Sequence, residues 1–229
     1  MTISLLLIGF FIGMRHALES DHVAAIASLA TGSSSVKQTA WQGAVWGLGH
    51  TLTLFIFGSI VLLADSVMPE QFAAFLEFIV GLMLIGLGTD VLWRLYKKRI
   101  HFHIHKHNSI QHFHAHSHSG EDNHKKSKHQ HEHRFPKRAL YIGLMHGMAG
   151  SAALIVLTLQ TVQATAIGML YILLFGVGSI IGMATLSVVI AIPLRYSSNE
   201  LTWLYNSLQA IVGVSTILLG GVTTFHYLV

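Results

Sequence analysis

The stretch ISLLLIGFFIGMRHALESDHVAAIASL, residues 3–29, decides the fold. Outside its centre it is apolar, and it exceeds the ~20 residues that an α-helix needs to cross a hydrocarbon core of ~30 Å. Its centre holds Arg15, His16, Glu19, Asp21 and His22 within eight positions. Ionisable groups at that depth cost at least a few kcal/mol each on insertion scales, roughly, so they face the protein interior and pair or bind something. One segment therefore predicts both a membrane span and a buried polar site.

The rest of the chain agrees with that reading. Of its 229 residues, 52% are hydrophobic and 10% charged, against roughly 25% charged in a soluble domain; the mean hydropathy is +0.56. Apolar windows place spans at Ile3–Leu29, Trp41–Leu63, Phe72–Leu95, Ala139–Leu159, Ala166–Leu194 and Leu201–Tyr227. The first 14 residues lack a basic leader and run on through Arg15 and His16, which reads as a first span and not as a signal peptide. There is no cysteine, so a metal must be held by imidazole, carboxylate, hydroxyl, thioether or backbone oxygen.

Six crossings put both termini on one side. Apart from Arg15, every Lys and Arg lies between spans 1 and 2 (Lys37), 3 and 4 (Arg94 to Arg138) or 5 and 6 (Arg195), whereas the other two connections carry none. By the positive-inside rule this predicts cytoplasmic loops at those three places and outside N- and C-termini, in a multi-pass protein of a bacterial-type plasma (inner) membrane. Trp41, Trp93 and Trp203 fall at the cytoplasmic span ends, as an aromatic belt would place them. The formal charge of +4 is explained by topology, since the basic residues flank apolar spans; nucleic acid is not an expected partner.

The two halves align. Ile12-Gly13-Met14-Arg15-His16 matches Ile142-Gly143-Leu144-Met145-His146, Gly47-Leu48-Gly49-His50 matches Gly176-Val177-Gly178-Ser179, and Ile79-Val80-Gly81 matches Ile211-Val212-Gly213, at offsets of 129 to 132 residues. Three spans per half is an odd number, so the halves are inverted, an arrangement that places substrate sites at the midplane between repeats. The expected fold is an all-α integral membrane protein of six transmembrane helices in a 3+3 inverted repeat. Residues 1–98 form the first three-helix repeat, 99–136 a His-rich cytoplasmic loop, and 137–229 the second repeat.

On a regular helix at ~100° per residue, His16, Glu19 and His22 step round by ~60° each, while Asp21 lies ~140° from His16. Either the helix is unwound here, as is tolerated where backbone lines a cavity, or the residues divide between a metal site and an Arg15–Glu19 ion pair. His50 in span 2 and His146 in span 4, the repeat mate of His16, offer further imidazoles near one level. The candidate metal ligands are therefore His16, Glu19, Asp21, His22, His50 and His146. Imidazole with carboxylate suits nickel, cobalt, zinc or copper and not magnesium or calcium. Interhelical hydrogen bonding is the alternative role for His50 and His146.

The stretch Arg15-His16-Ala17-Leu18-Glu19-Ser20-Asp21-His22-Val23 resembles the R-H-A-x-D-A-D-H-I signature of the nickel/cobalt transporter family (NiCoT). Gly49-His50-Thr51 resembles that family's G-H-S motif, and His146-Gly147-Met148-Ala149-Gly150-Ser151-Ala152-Ala153-Leu154 is similar to the H-G-L-A-G-S-A-A-L of its six-span, urease-accessory-type nickel relatives. The resemblance spans the membrane part of the chain and implies metal recognition by His16, Asp21 and His22, with His50 from the second motif. Glu19 and Ser20 depart from the signature, and L-G-F-D-T-A-T-E is missing. The Asp21-His22 pair resembles the importers, so the implied activity is uptake of Ni2+ or Co2+ as transported substrate. Efflux is the alternative, because related six-span exporters also carry a His-rich loop. Implied partners are the divalent ion, the lipid bilayer, and cytoplasmic nickel chaperones or metalloenzyme maturation proteins.

Between His101 and His133 stand twelve histidines, many alternating with other residues. Such a tract is compositionally a metal-collecting, largely disordered segment, although the alternation leaves a short strand open. Without H-E-x-x-H, G-x-S-x-G or a Walker loop, the chain has no motif of a metalloprotease, serine hydrolase or ATPase. A non-enzymatic transporter without a resident cofactor is expected, with a membrane-embedded metal-dependent enzyme or sensor as the reading from another class.

Overall fold

The computed structural model describes residues 2–33, 35–64, 69–97, 100–107, 110–117, 135–149, 165–200 and 202–228. Among these the helices are α1 (Thr2–His16), α2 (Ser20–Ala30), α3 (Val36–Ala64), α4 (Glu70–Lys97), α5 (Lys137–Ala149), α6 (Thr165–Glu200) and α7 (Thr202–Leu228). The continuous helices long and apolar enough to cross a membrane are Val36–Ala64, Glu70–Lys97, Thr165–Tyr196 and Trp203–His226, and α1 with α2 forms a fifth candidate, bent by 55° at its break. The chain is thus a multi-pass, predominantly helical membrane protein with four or five candidate spans among the described residues. The expected fourth span is described only as α5; its remainder, residues 150–159, lies outside the described residues, as do Asp65 and residues 118–134.

Lipid accounts for what the helices leave uncovered. Leu48, Leu52, Ile56 and Ile60 recur every fourth position on α3 and are about half exposed or more, as are Leu7 and Phe11 on α1. Continuous apolar stripes of this kind are lipid-facing surfaces, not patches a monomer shows to water.

Small residues hold the opposite faces together. Association in lipid gains little from hydrophobic burial, so helices that approach through glycine replace it with dense packing. A side chain built on Gly13 or Gly143 would strike the carbonyl of Phe175 or of Trp46, respectively. α3 accordingly packs on α6 and α5, α1 on α6, and α4 on α7.

One end of the assembly gathers the basic residues. Arg94 Nη2 donates to Thr31 Oγ1 at 3.3 Å and to the Ser28 carbonyl at 3.5 Å. Arg195 Nη2 donates to the Ser33 carbonyl at 3.4 Å. Arg138 meets Asp90 at 2.7 Å. The Arg94 and Arg195 bonds reach carbonyls at and just beyond the C-terminus of α2. Trp41, Trp93 and Trp203 are all exposed, at 54, 56 and 60%.

Where composition points to a largely disordered loop, the alternating runs instead pair. Strands β1 (Ile100–His107) and β2 (Ile110–Ser117) form an antiparallel hairpin with His101 opposite His116, His103 opposite His114 and His105 opposite His112. The cause is the period-two alternation itself, which gives a ribbon two distinct faces. This hairpin is the exception to an all-α description.

Candidate metal centre

The polar segment of residues 15–22 is where the first span breaks. Leu18 and Glu19 N–H groups donate back three residues, to Arg15 and His16 carbonyls at 2.9 and 3.0 Å. Glu19 then takes extended backbone angles, φ −62° and ψ 147°, before α2 begins. No proline or glycine causes the break. The turn is held by its side chains: Glu19 Oε1 lies 2.8 Å from His16 Nδ1, and Asp21 Oδ1 accepts the His22 backbone N–H at 2.8 Å. Of the two arrangements open to the sequence, the unwound one occurs. The Arg15–Glu19 ion pair of the other arrangement does not form: Glu19 is paired with His16, and Arg15 is exposed.

The break turns residues that a straight helix would spread round its circumference toward one point. His22, His50 and His146 are almost completely buried, at 1, 0 and 1%, and His16 is buried. His16 Nε2 lies 3.3 Å from His50 Nε2. Asp21 spans two imidazoles, with Oδ1 at 2.9 Å from His22 Nδ1 and Oδ2 at 3.0 Å from His146 Nε2. Ring centroids of His16 and His22 stand 4.3 Å apart, and those of His22 and His146 4.2 Å. All six residues singled out in the sequence thus meet, from α1, α3, α5, the turn and the start of α2.

Two triads in this cluster have metal-holding dimensions. One donor atom from each of His16, His22 and His50 lies within 4.8 Å of the others, and the same holds for Asp21, His22 and His146. An ion at ~2.0–2.1 Å from each of three ligands, as zinc is from imidazole nitrogen, holds their atoms about 3.3–3.6 Å apart, so a pair at the 4.8 Å limit closes by about 1 Å on binding. His22 Nε2, His50 Nδ1 and His146 Nδ1 are buried without a hydrogen-bond partner among the described residues. A buried polar atom left so costs ~1–3 kcal/mol, which a bound ion could recover at a nitrogen carrying a lone pair.

Trp46 and Phe175 complete the walls and escaped the sequence reading. The Trp46 ring lies 5.4 Å from His22 and 5.5 Å from His146, and Phe175 lies 5.2 Å from His16. The available signal for Trp46 was its position four residues before His50, hence on the same face of α3, and away from the span end where the other three lie.

Comparison with known proteins places the chain. The family described as Cytochrome C biogenesis protein transmembrane region matches residues 4–222. The Urease accessory protein UreH of Bacillus sp. (strain TB-90) is 33% identical over 226 residues, 99% of this chain and 91% of the relative. The Chloroplast proteins FOR GROWTH AND FERTILITY 2 and 1 of Arabidopsis thaliana are 39% and 40% identical over 83 residues, 35% of this chain and 22% of each relative. No solved structure matches. The chain belongs to the family of the Cytochrome C biogenesis protein transmembrane region and is a relative of the urease accessory protein UreH.

Proposed function

We propose that this protein carries a divalent transition metal ion, Ni2+ or Co2+, across the membrane in the direction of uptake, through the centre at His16, Glu19, Asp21, His22, His50 and His146. The carrying observation is the cluster of four buried imidazoles at a broken span, two of which, His22 and His146, bond the Asp21 carboxylate. Broken spans place binding groups where backbone lines a cavity, and imidazole with carboxylate is a ligand set for these ions. A urease accessory protein among the relatives supports nickel as the cargo and metalloenzyme maturation proteins or cytoplasmic nickel chaperones as the receiving partners.

The reading includes six spans in a 3+3 inverted repeat, with N- and C-termini outside and the His-rich loop cytoplasmic. Packing supports it. Gly13 lies against Phe175 as Gly143 lies against Trp46, and Gly178 against Phe10 and Met14 as Gly49 lies against Leu140 and Leu144. Each pair maps onto its counterpart at the offsets of 129 and 130 residues that relate the two halves. Gly81 meets Gly220 as Gly88 meets Gly213, a pair that maps onto itself at the offset of 132. Such reciprocity is what a pseudo-two-fold axis produces.

Purified chain in liposomes, with no soluble partner, should pass radioactive Ni2+ inward. Absence of flux from oriented, folded protein would reject a carrier and favour an enzyme or sensor.

A further inference from the structure

The centre contains more ligand than one ion requires, and its parts overlap in one residue. His22 belongs to both triads, with His16 and His50 on one side and with Asp21 and His146 on the other. We propose that the centre offers a single ion two overlapping positions that share His22: an all-imidazole position at His16, His22 and His50, and a mixed position at Asp21, His22 and His146. This rests on the transport reading and extends it to the path the ion takes inside the site.

Proton positions follow from the partners. Neutral imidazole carries one N–H and one lone pair. Nδ1 of His16 lies 2.8 Å from Glu19 Oε1, and Nδ1 of His22 lies 2.9 Å from Asp21 Oδ1; a carboxylate only accepts, so both protons sit on Nδ1. Both Nε2 atoms then carry a lone pair that a metal can take, His16 by giving up its contact with His50 Nε2. His22 Nε2 is indeed buried without a partner among the described residues, and His16 Nε2 stands 3.3 Å from His50 Nε2. Glu19 and Asp21 thus act on the first position as the carboxylates behind metal-binding imidazoles that fix ring and tautomer.

In the second position Asp21 is itself a ligand. His22 must then present its lone pair toward the carboxylate, which it cannot do while holding an ion at Nε2. Two ions at once would require His22 as a doubly coordinating imidazolate, with two divalent charges crowded in a low-dielectric interior. Single occupancy follows. The positions also differ in charge: three neutral imidazoles leave the ion at +2, whereas Asp21 reduces it to +1. An ion passing from the first position to the second exchanges His16 and His50 for Asp21 and His146 and changes nitrogen on His22, leaving Nε2 for Nδ1 while the ring proton moves from Nδ1 to Nε2.

The test uses the full-length chain in nanodiscs, with the twelve histidines of the 101–133 loop replaced by Gln, and Ni2+ alone as probe. The parent should bind one ion by equilibrium dialysis. His50→Ala should still bind one ion, more weakly, with a K-edge spectrum shifted toward oxygen and fewer imidazoles. His146→Ala should bind one ion with an imidazole-dominated shell. His22→Ala and the conservative His22→Gln should both lose it, with melting profiles establishing that each variant is folded. Two ions in the parent, retention in the His22 variants, loss of binding in folded His50→Ala or His146→Ala, or spectra unchanged in both would overturn the shared-ligand arrangement. Liposome flux is read on the same parent chain. Absent flux with the expected binding pattern rejects transport and leaves the two positions standing; flux with the overturning pattern does the reverse.

Discussion

Gly147 on α5 packs directly on the backbone of His50 on α3: a Cβ at Gly147 would stand 2.9 Å from the His50 Cα and nearer still to its carbonyl oxygen. This contact sets how far apart His50 and His146 can be, since their ring centroids lie 6.0 Å apart across it. A larger residue must push α5 away from α3. Gly147→Val is therefore expected to destabilise the protein by ~1–3 kcal/mol, the usual range for overpacking, and to weaken metal binding more than a distant substitution of equal instability. Gly86, with nothing among the described residues within 4 Å of a built Cβ, is the control. Gly86→Ala should leave binding unchanged and raise the melting point slightly, given the ~1 kcal/mol helix preference of Ala over Gly. Thermal melts and Ni2+ titrations on both variants check the pair.

Single substitutions His16→Ala, Asp21→Ala and His22→Ala should each abolish Ni2+ uptake while the chain remains inserted. Glu19→Gln should act differently. Its carboxylate is 57% exposed and touches His16 at Nδ1, away from the Nε2 that faces His50. Losing a group that orients a ligand costs ~10–100-fold in metal affinity, so transport should survive at raised Ni2+ concentration. Wild-type uptake by all three Ala variants would remove the site from the transport path.

Deleting residues 108–131 should leave transport operating while raising the Ni2+ concentration for half-maximal flux, because the loop can only raise the local supply of ions. Retention by the loop should also depend on pH. Neutral imidazole is the ligand, so binding is present above ~6.5 and is lost as pH falls through that value and protons compete. Ni2+ dialysis of the wild type between pH 8 and 5, with the deletion variant subtracted, measures the loop's share. Complete loss of flux on deletion would place the loop in the pathway itself.

What the sequence made legible was chemistry and position. The density of Arg15, His16, Glu19, Asp21 and His22 in an apolar stretch marked the site, and offsets between halves brought His146 to the level of His16. The pairing inside the site was not legible. Spacing favoured Glu19 with Arg15 at i, i+4, but that rule holds only for a continuous helix, and the turn at 17–19 sends Glu19 to His16 instead. Nothing in Ala17-Leu18-Glu19 breaks a helix by propensity; the break is stabilised by tertiary partners, with Ala17 fully buried where Gly182 leaves space. Trp46 was hidden for a related reason. Tryptophan in a membrane chain reads first as an interfacial anchor, and only the packing of α3 against α5 reveals one facing the imidazoles.

Topology is open to a direct check because the chain contains no cysteine. Single Cys reporters at positions 3, 110 and 227 can be introduced into otherwise wild-type protein and treated in intact cells with a membrane-impermeant thiol reagent. The N-out, C-out arrangement expects labelling at 3 and 227, and labelling at 110 only after permeabilisation. The physical ground is the shared end of the assembly at which Arg94, Arg138 and Arg195 make their contacts, each from the end of a helix. Under the proposed topology that end is cytoplasmic, because translocating Lys and Arg during insertion is costly. Labelling of 110 alone in intact cells would invert the chain, and with it the direction in which the centre passes its ion. Opposite labelling of 3 and 227 would mean an odd number of crossings, which would remove the span proposed to continue α5 beyond Ala149 and the inverted repeat with it.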